Sequence, residues 1–228
     1  MRLVLFDIDG TLLTDGGASR AAFAHALEVV YGYDRDLSVY DFSGRTDPQI
    51  AYMVLRDADL DDDRIARGLP RLWELYLDGL ARNATSHRIR ALPGIAALLD
   101  ALEAHDDVTL ALLTGNIEPG ARLKLGGAEL NRYFPFGAFG SDSAKREELP
   151  PIAIERAAAI AGETFAGSDV VIIGDSIYDV RCGVPYNATT IAIASGKTSA
   201  ETLRAEQPTH LFESAEAFEE IIGAVLGS

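Results

Sequence analysis

At 228 residues with 48% hydrophobic side chains, the chain is long enough for one good-sized domain, or a domain with a smaller companion, and too apolar to stay disordered. Its formal charge of −15 argues against nucleic acid or an anionic membrane as a partner, because both need a basic patch. The same charge repels an anionic substrate at long range, so a phosphate site here has to carry its own local cations. Cys182 is the single cysteine, which rules out an internal disulfide and points to a reducing compartment. No basic-then-apolar leader opens the chain and no apolar run approaches a membrane-spanning length, so the expectation is a cytoplasmic protein.

In chain order, Arg2 to Phe6 is an apolar, β-prone run without polar alternation, which suits a strand buried on both faces. Thr14 to Gly17 reads as a flexible connector. Residues 19–32 form a helical stripe through Phe23, Leu27 and Val30, and Asp47-Pro48 has the form of an N-cap followed by a first-turn proline. A third helix is expected from Asp62 to Arg82, kinked or split at Pro70. Residues 83–90 turn polar and make a second connector. Beyond it come a helix opened by Pro93, a strand at Val108–Leu113, a helix over Glu118–Gly126 and a short strand at Phe136–Phe139. A helix started by Pro150-Pro151 and running to Ala161, a strand at Val170–Ile173 and a helix from Ile177 follow. Strands at Thr190–Ala194 and His210–Phe212 and a final helix over Ala215–Leu226 complete the pattern. Strands alternating with helices predict an α/β fold, a Rossmann-like doubly wound parallel sheet. Its ligand belongs beyond the carboxyl ends of the strands.

Three of those strands end in small polar or acidic residues with an adjacent glycine: Asp7, Thr114 and Asp175. Asp7 and Asp9 at the mouth of a buried strand are costly unless a cation sits between them, and Mg²⁺ is a hard ion that takes one or two carboxylates and fills its shell with water and phosphate oxygens. An ordinary Asp-Gly surface turn is the competing reading. Thr114 offers a hydroxyl, and Gly115 and Asn116 offer backbone N–H groups at a strand-to-helix turn, a natural anion cradle.

The set DIDGT at 7–11, LLTGN at 112–116, Lys145-Arg146 before a proline-rich helix start and IGDSIYD at 173–179 resembles the haloacid dehalogenase superfamily on its phosphoglycolate phosphatase-like side. The resemblance spans nearly the whole core. It implies that Asp7 is the nucleophile forming an aspartyl phosphate and that Asp9 is the general acid and base. It implies a Mg²⁺ site built from Asp7, the Asp9 main-chain carbonyl and Asp175, with Asp179 in support; Asp179 also fits a capping box with Ser176. The phosphate would be held by Thr114, Gly115, Asn116 and a cation. Arg146 is favoured over Lys145, since the spacing departs from the family's Lys-Pro-x-Pro form and looks more like relatives in which arginine precedes Glu-Leu-x-Pro. Dehalogenating relatives do without a carboxylate at the position of Asp9, so its presence favours a small phosphorylated metabolite as substrate.

Residues 15–86, between the first and second motifs, resemble the family's helical cap, which leaves 1–14 and 87–228 as the catalytic core. Within Ser43-Gly44-Arg45-Thr46-Asp47, Arg45 is placed to meet a second anionic group of the substrate, or simply to stay solvated beside a helix start. A phosphomutase of the β-phosphoglucomutase kind would use the same core. A phosphonate hydrolase is disfavoured because residues 15–85 contain no lysine for an imine. A non-catalytic, receiver-like phosphate-binding module would have no use for Asp9 beside the acceptor. Ser195-Gly196-Lys197-Thr198 imitates the end of a P-loop but lacks its first glycine. The sequons at Asn83 and Asn187 lack an export signal, and Trp73 and the histidines read as structural or surface residues.

Overall fold

The structure, a computed structural model, describes residues 1–84 and 89–227. Six parallel strands form one sheet: β1 (Arg2–Phe6), β4 (Val108–Leu113), β5 (Gly137–Ala138), β6 (Val170–Gly174), β7 (Thr189–Ile193) and β8 (His210–Phe212), in the order β5-β4-β1-β6-β7-β8. The apolar run of β1 is fully covered because β1 lies at the centre, with Leu5 opposite Ala111 on one side and Ile172 on the other. Its side chains alternate between two cores. Val4 and Phe6 join α4 (Ile95–Glu103) and α9 (Phe218–Leu226), whereas Leu3 and Leu5 join α6 (Leu149–Ala161) and Cys182 of α7 (Ile177–Gly183). Helices on both faces make the sheet the doubly wound α/β architecture expected from the pattern.

The chain winds outward from β1 through β4 to β5, then returns to the other side of β1 for β6. That reversal puts the crevice of the sheet at the carboxyl end of β1, between β4 and β6. The ladder continues past the strand, since Asp7 N donates to Ile173 O at 3.0 Å and Thr114 N to Ala138 O at 3.0 Å. Asp7, Thr114 and Asp175 thus sit side by side at one edge of the sheet.

Between β1 and β4 lie α1 (Ala18–Tyr31), α2 (Asp47–Arg56) and α3 (Asp62–Ala84). α1 and α3 pack closely. Phe23 stacks on Trp73 and meets Tyr76 edge-on, and the Tyr31 hydroxyl donates to Ile65 O at 2.6 Å. Pro70 neither splits nor ends α3: it lies on the exposed side, while Ile65, Leu72, Tyr76 and Leu80 carry the buried stripe across it. Thr46, not Asp47, caps α2, accepting from Gln49 N at 3.2 Å.

The two connectors are more structured than their composition suggests. Leu13–Thr14 (β2) pairs antiparallel with Arg90–Ala91 (β3), a ribbon too short for any sequence period to register. A six-residue helix, α8 (Ala200–Ala205), was also not anticipated; Ser199 caps it. α5 (Glu118–Gly127) follows β4 as expected. The expected 86/87 boundary, and the part of the Asn83 sequon at Thr85, fall outside the described residues. No helix of the described residues is long and apolar enough to cross a membrane.

Leu5 is fully buried in the central strand. Leu5→Ala is expected to lower unfolding stability by about 2–5 kcal/mol, as truncation of a buried leucine does. Urea denaturation checks this, and a loss below about 0.5 kcal/mol would show that β1 is not the centre of the core.

Candidate active site

Carboxylate oxygens of Asp7, Asp175 and Asp179 lie within 4.8 Å of one another, and all three residues are buried. Asp7 ends β1, Asp175 follows β6, and Asp179 stands in the first turn of α7. Burial raises the carboxyl of Asp7, against Arg146, with the charges of Asp179 and Asp9 adding to the rise. Burial likewise holds Asp175 well above the usual carboxylate range, with Asp7 and Asp179 reinforcing it. Like charges this close oppose joint ionisation.

The backbone around Asp175 leaves no room for side chains. Gly10, at φ +87°, would place a Cβ 2.5 Å from Asp175 Oδ2, and a Cβ at Gly196 would fall 1.6 Å from the same atom. Ser195 Oγ donates to Gly10 O at 2.7 Å, which joins the 195–197 loop to the DIDGT turn. The P-loop-like tetrapeptide is therefore part of this site's wall by packing, a role its motif form did not reveal. Thr11 Oγ1 donates to Asp175 Oδ1 at 3.1 Å and orients it.

Arg146 is the cation of the cluster. Its Nη2 donates to Asp7 Oδ1 at 3.1 Å, to Asp179 Oδ1 and to Leu113 O at 3.3 Å, while its buried Nε has no acceptor among the described residues. Lys145 is not brought into the site: its side chain is 68% exposed and pairs with Glu148 at 3.1 Å. Asp179 is fully engaged, because Oδ2 accepts from Ser176 N at 2.9 Å and from Ser176 Oγ at 2.6 Å, completing the capping box of α7. It stands as an anchor for Arg146 and for the helix start.

Beside this cluster lies a second one. Asn116 N and Nδ2 both donate to Thr114 Oγ1, at 3.2 and 2.8 Å, which leaves the Thr114 hydroxyl proton as the donor for another group. Asn116 Nδ2 also donates to Asp9 Oδ2 at 2.8 Å, so this side chain serves Asp9, a role beyond the backbone N–H expected of it. Lys124 Nζ donates to Asp9 Oδ2 at 2.7 Å and to Asn116 Oδ1 at 2.6 Å. Burial disfavours this ammonium, yet the charges of Asp9, Asp15 and Asp47 outweigh burial and raise its pKa. Sequence reasoning did not single out Lys124. Its position three residues after Ala121 and one before Leu125, on the buried side of α5, is the signal that marks it.

The loop before α2 packs onto this edge of the sheet. Asp47 N donates to Gly115 O at 2.7 Å, Ile117 N to Asp47 Oδ2 at 2.9 Å and Thr46 Oγ1 to Ala144 O at 2.7 Å. Gly44, at φ +64°, is required because a Cβ there would come 2.5 Å from the Tyr178 ring. The Arg45 guanidinium lies 5.7 Å from that ring's centroid, at the wall of a cavity of about 630 Å³. The cavity runs from Asp7 and Asp9 up to Phe23, Phe42 and Tyr76, and Arg20, Arg90 and Lys197 also line it. A chain of net charge −15 thus gathers cations where an anion would enter.

Burial pushes the Asp47 carboxyl up to about 6, and Asp9 adds to this while Lys124 and the Ile117 N–H bond oppose it. A carboxyl raised in the folded state favours folding while it is protonated, and that contribution disappears as pH rises past about 6. Asp47→Asn, which does not titrate, is therefore expected to gain stability relative to the parent between pH 4 and 7. Thermal unfolding of both proteins across that range checks it; a constant difference would mean the carboxylate is not desolvated.

Known proteins resemble this chain in sequence and fold. A probable phosphatase, IndB, of Dickeya dadantii (strain 3937) is 24% identical over 97% of this chain and 92% of its own length. A phosphoglycolate phosphatase of Pseudomonas fluorescens (strain Pf0-1) is 24% identical over 91% of this chain and 75% of its own. The crystal structure of a hydrolase from Pseudomonas syringae has the same fold, with a TM-score of 0.74 at 21% identity over 97% of this chain and 98% of that one. The model of the haloacid dehalogenase-like hydrolases matches residues 4–183, from β1 to the end of α7. That stretch carries the whole acid cluster, and the chain is an enzyme belonging to the haloacid dehalogenase-like hydrolase family.

Proposed function

We propose that the enzyme hydrolyses a small phosphomonoester through an aspartyl phosphate on Asp7. The observation that carries this reading is the division of labour between two neighbouring carboxylates. Asp7 sits in the buried acid cluster beside Arg146, whereas the Asp9 side chain lies outside that cluster, 42% exposed and at the cavity wall.

In the first step an Asp7 oxygen attacks phosphorus, the bond from phosphorus to the ester oxygen breaks, and Asp9 delivers its proton to the departing alkoxide. In the second, Asp9 takes a proton from the water that attacks the acyl phosphate; inorganic phosphate leaves and Asp7 is restored. The Arg146 guanidinium, the Thr114 hydroxyl and the Gly115 N–H would serve as donors to the phosphate oxygens. The helices between β2 and β3 act as a cap over the cavity, excluding water and selecting the leaving group. Arg45 at the cavity wall would meet a carboxylate or second phosphate of the substrate. The phosphoglycolate phosphatase relative agrees with such a substrate class.

The acid cluster fits a divalent cation. Three buried carboxylates face one guanidinium, and Asp179 is already engaged by Arg146 and Ser176. Asp7 and Asp175, with the Asp9 main-chain carbonyl, are the groups that would hold Mg²⁺. When bound, the ion supplies charge neutralisation for the transferring phosphoryl group.

A panel of small phosphomonoesters assayed with and without Mg²⁺ tests the proposal. Mg²⁺-dependent release of inorganic phosphate is expected, without transfer of the phosphoryl group to a second hydroxyl of the same sugar, which is the outcome a phosphomutase would give. Asp7→Asn should abolish turnover while circular dichroism and unfolding temperature stay those of a folded protein. Undiminished turnover in that variant would end the covalent reading.

A further inference from the structure

Lys124 is a buried lysine that the reaction above leaves unused: its side chain is 4% exposed, on the inner face of α5. A buried ammonium is costly unless it is paired. Here the pairing is concentrated. The Lys124 ammonium and the Asn116 amide both donate to Asp9 Oδ2, at 2.7 and 2.8 Å, and Lys124 also donates to Asn116 Oδ1 at 2.6 Å. The three side chains close a triangle. Among the described residues no donor reaches Asp9 Oδ1, and the carboxylate lines the cavity.

We propose that Lys124 is a positioning residue for Asp9, clamping one carboxylate oxygen with Asn116 so that the other faces the cavity, outside the acid cluster. An aspartate side chain has two rotatable bonds, so a carboxylate held by no partner can turn away from the cavity. A misplacement of about 1 Å at a proton-transfer site can cost about 10²-fold in rate. Asp15 and Asp47, before α1 and at the start of α2 in the helical segment, act on the ammonium by charge together with Asp9. The clamp is thus set where that segment meets the sheet. A purely structural role would be to neutralise those acids, and it makes no distinction between substrates.

The proposal rests on Asp9 being the acid and base, so the test includes Asp9 itself. Asp9→Asn, Lys124→Met and the double variant are assayed on an alkyl phosphate, whose leaving group needs a proton, and on 4-nitrophenyl phosphate, whose leaving group does not. Asp9→Asn is expected to lower kcat/KM, which reports the leaving-group step, by about 10²–10⁴-fold on the alkyl ester and far less on the nitrophenyl ester, whereas kcat, which includes the shared hydrolysis of the aspartyl phosphate, can fall on both. Lys124→Met should lower kcat/KM on the alkyl ester by about 10–100-fold, part of the acid contribution of Asp9, and on the nitrophenyl ester far less. The double variant should be no slower than Asp9→Asn. If Lys124→Met fails to fold, Lys124→Gln, which keeps a neutral donor, should show the same pattern at smaller size. Equal losses of kcat/KM on the two esters, or losses that multiply in the double variant, would overturn the clamp. A flat Asp9→Asn profile would instead overturn the acid-base reading beneath it.

Discussion

Three carboxylates and one guanidinium share a buried pocket at the carboxyl end of the central strand, and the rest of the molecule is arranged around that charge imbalance. Charges are expensive to bury, and like charges this close push one another toward the neutral form. Asp7 is there because β1 is the innermost strand and its ladder with β6 continues one residue past the strand end. Asp175 is held by Thr11 and walled in by Gly10 and Gly196, positions at which any side chain would strike its carboxylate. Asp179 has its place as the capping box of α7, and through it Arg146 is fixed against Asp7. An overall charge of −15 would by itself repel an anion, so the local cations along the cavity have to reverse that field at close range.

The second arrangement follows from the first. With Asp7 drawn into the acid cluster, Asp9 is left free to face the cavity, and Asn116 and Lys124 keep it there. Both come from the segment that follows β4, the neighbour of β1, so one strand pair supplies the nucleophile candidate, its partner acid and the groups that orient that acid. The loop 44–47 is bonded to the same segment through Gly115 and Ile117. Packing of the helices on the sheet and placement of the site's polar groups are therefore one structural event.

Much of this was legible in the sequence, for a physical reason. Buried parallel strands are uninterrupted apolar runs, so their ends are sharp, and Asp7, Thr114 and Asp175 stand at those ends. What was not legible depends on orientation or on very short pairing. Lys145 and Arg146 are adjacent, and only the turn leading into α6 decides that Arg146 enters the site while Lys145 pairs with Glu148 at the surface. Lysine on an amphipathic helix normally reads as solvent-facing, so Lys124 was passed over even though Ala121 and Leu125 mark its side of α5 as buried. Asp47 read as a helix cap because an Asp-Pro pair commonly is one; the structure gives that role to Thr46 and turns Asp47 toward α5. The β2–β3 ribbon has two residues per strand, below the reach of any periodicity.

Binding of Mg²⁺ to the protein without substrate tests the central claim most directly. Titration calorimetry at pH 7.5, with the chelator-treated protein and with Asp175→Asn, isolates the acid cluster from the chemistry that follows. One Mg²⁺ bound per chain, together with a raised unfolding temperature and loss of both effects in Asp175→Asn, is the predicted result. A protein that takes up no Mg²⁺, or binds it equally well without the Asp175 carboxylate, would contradict the account.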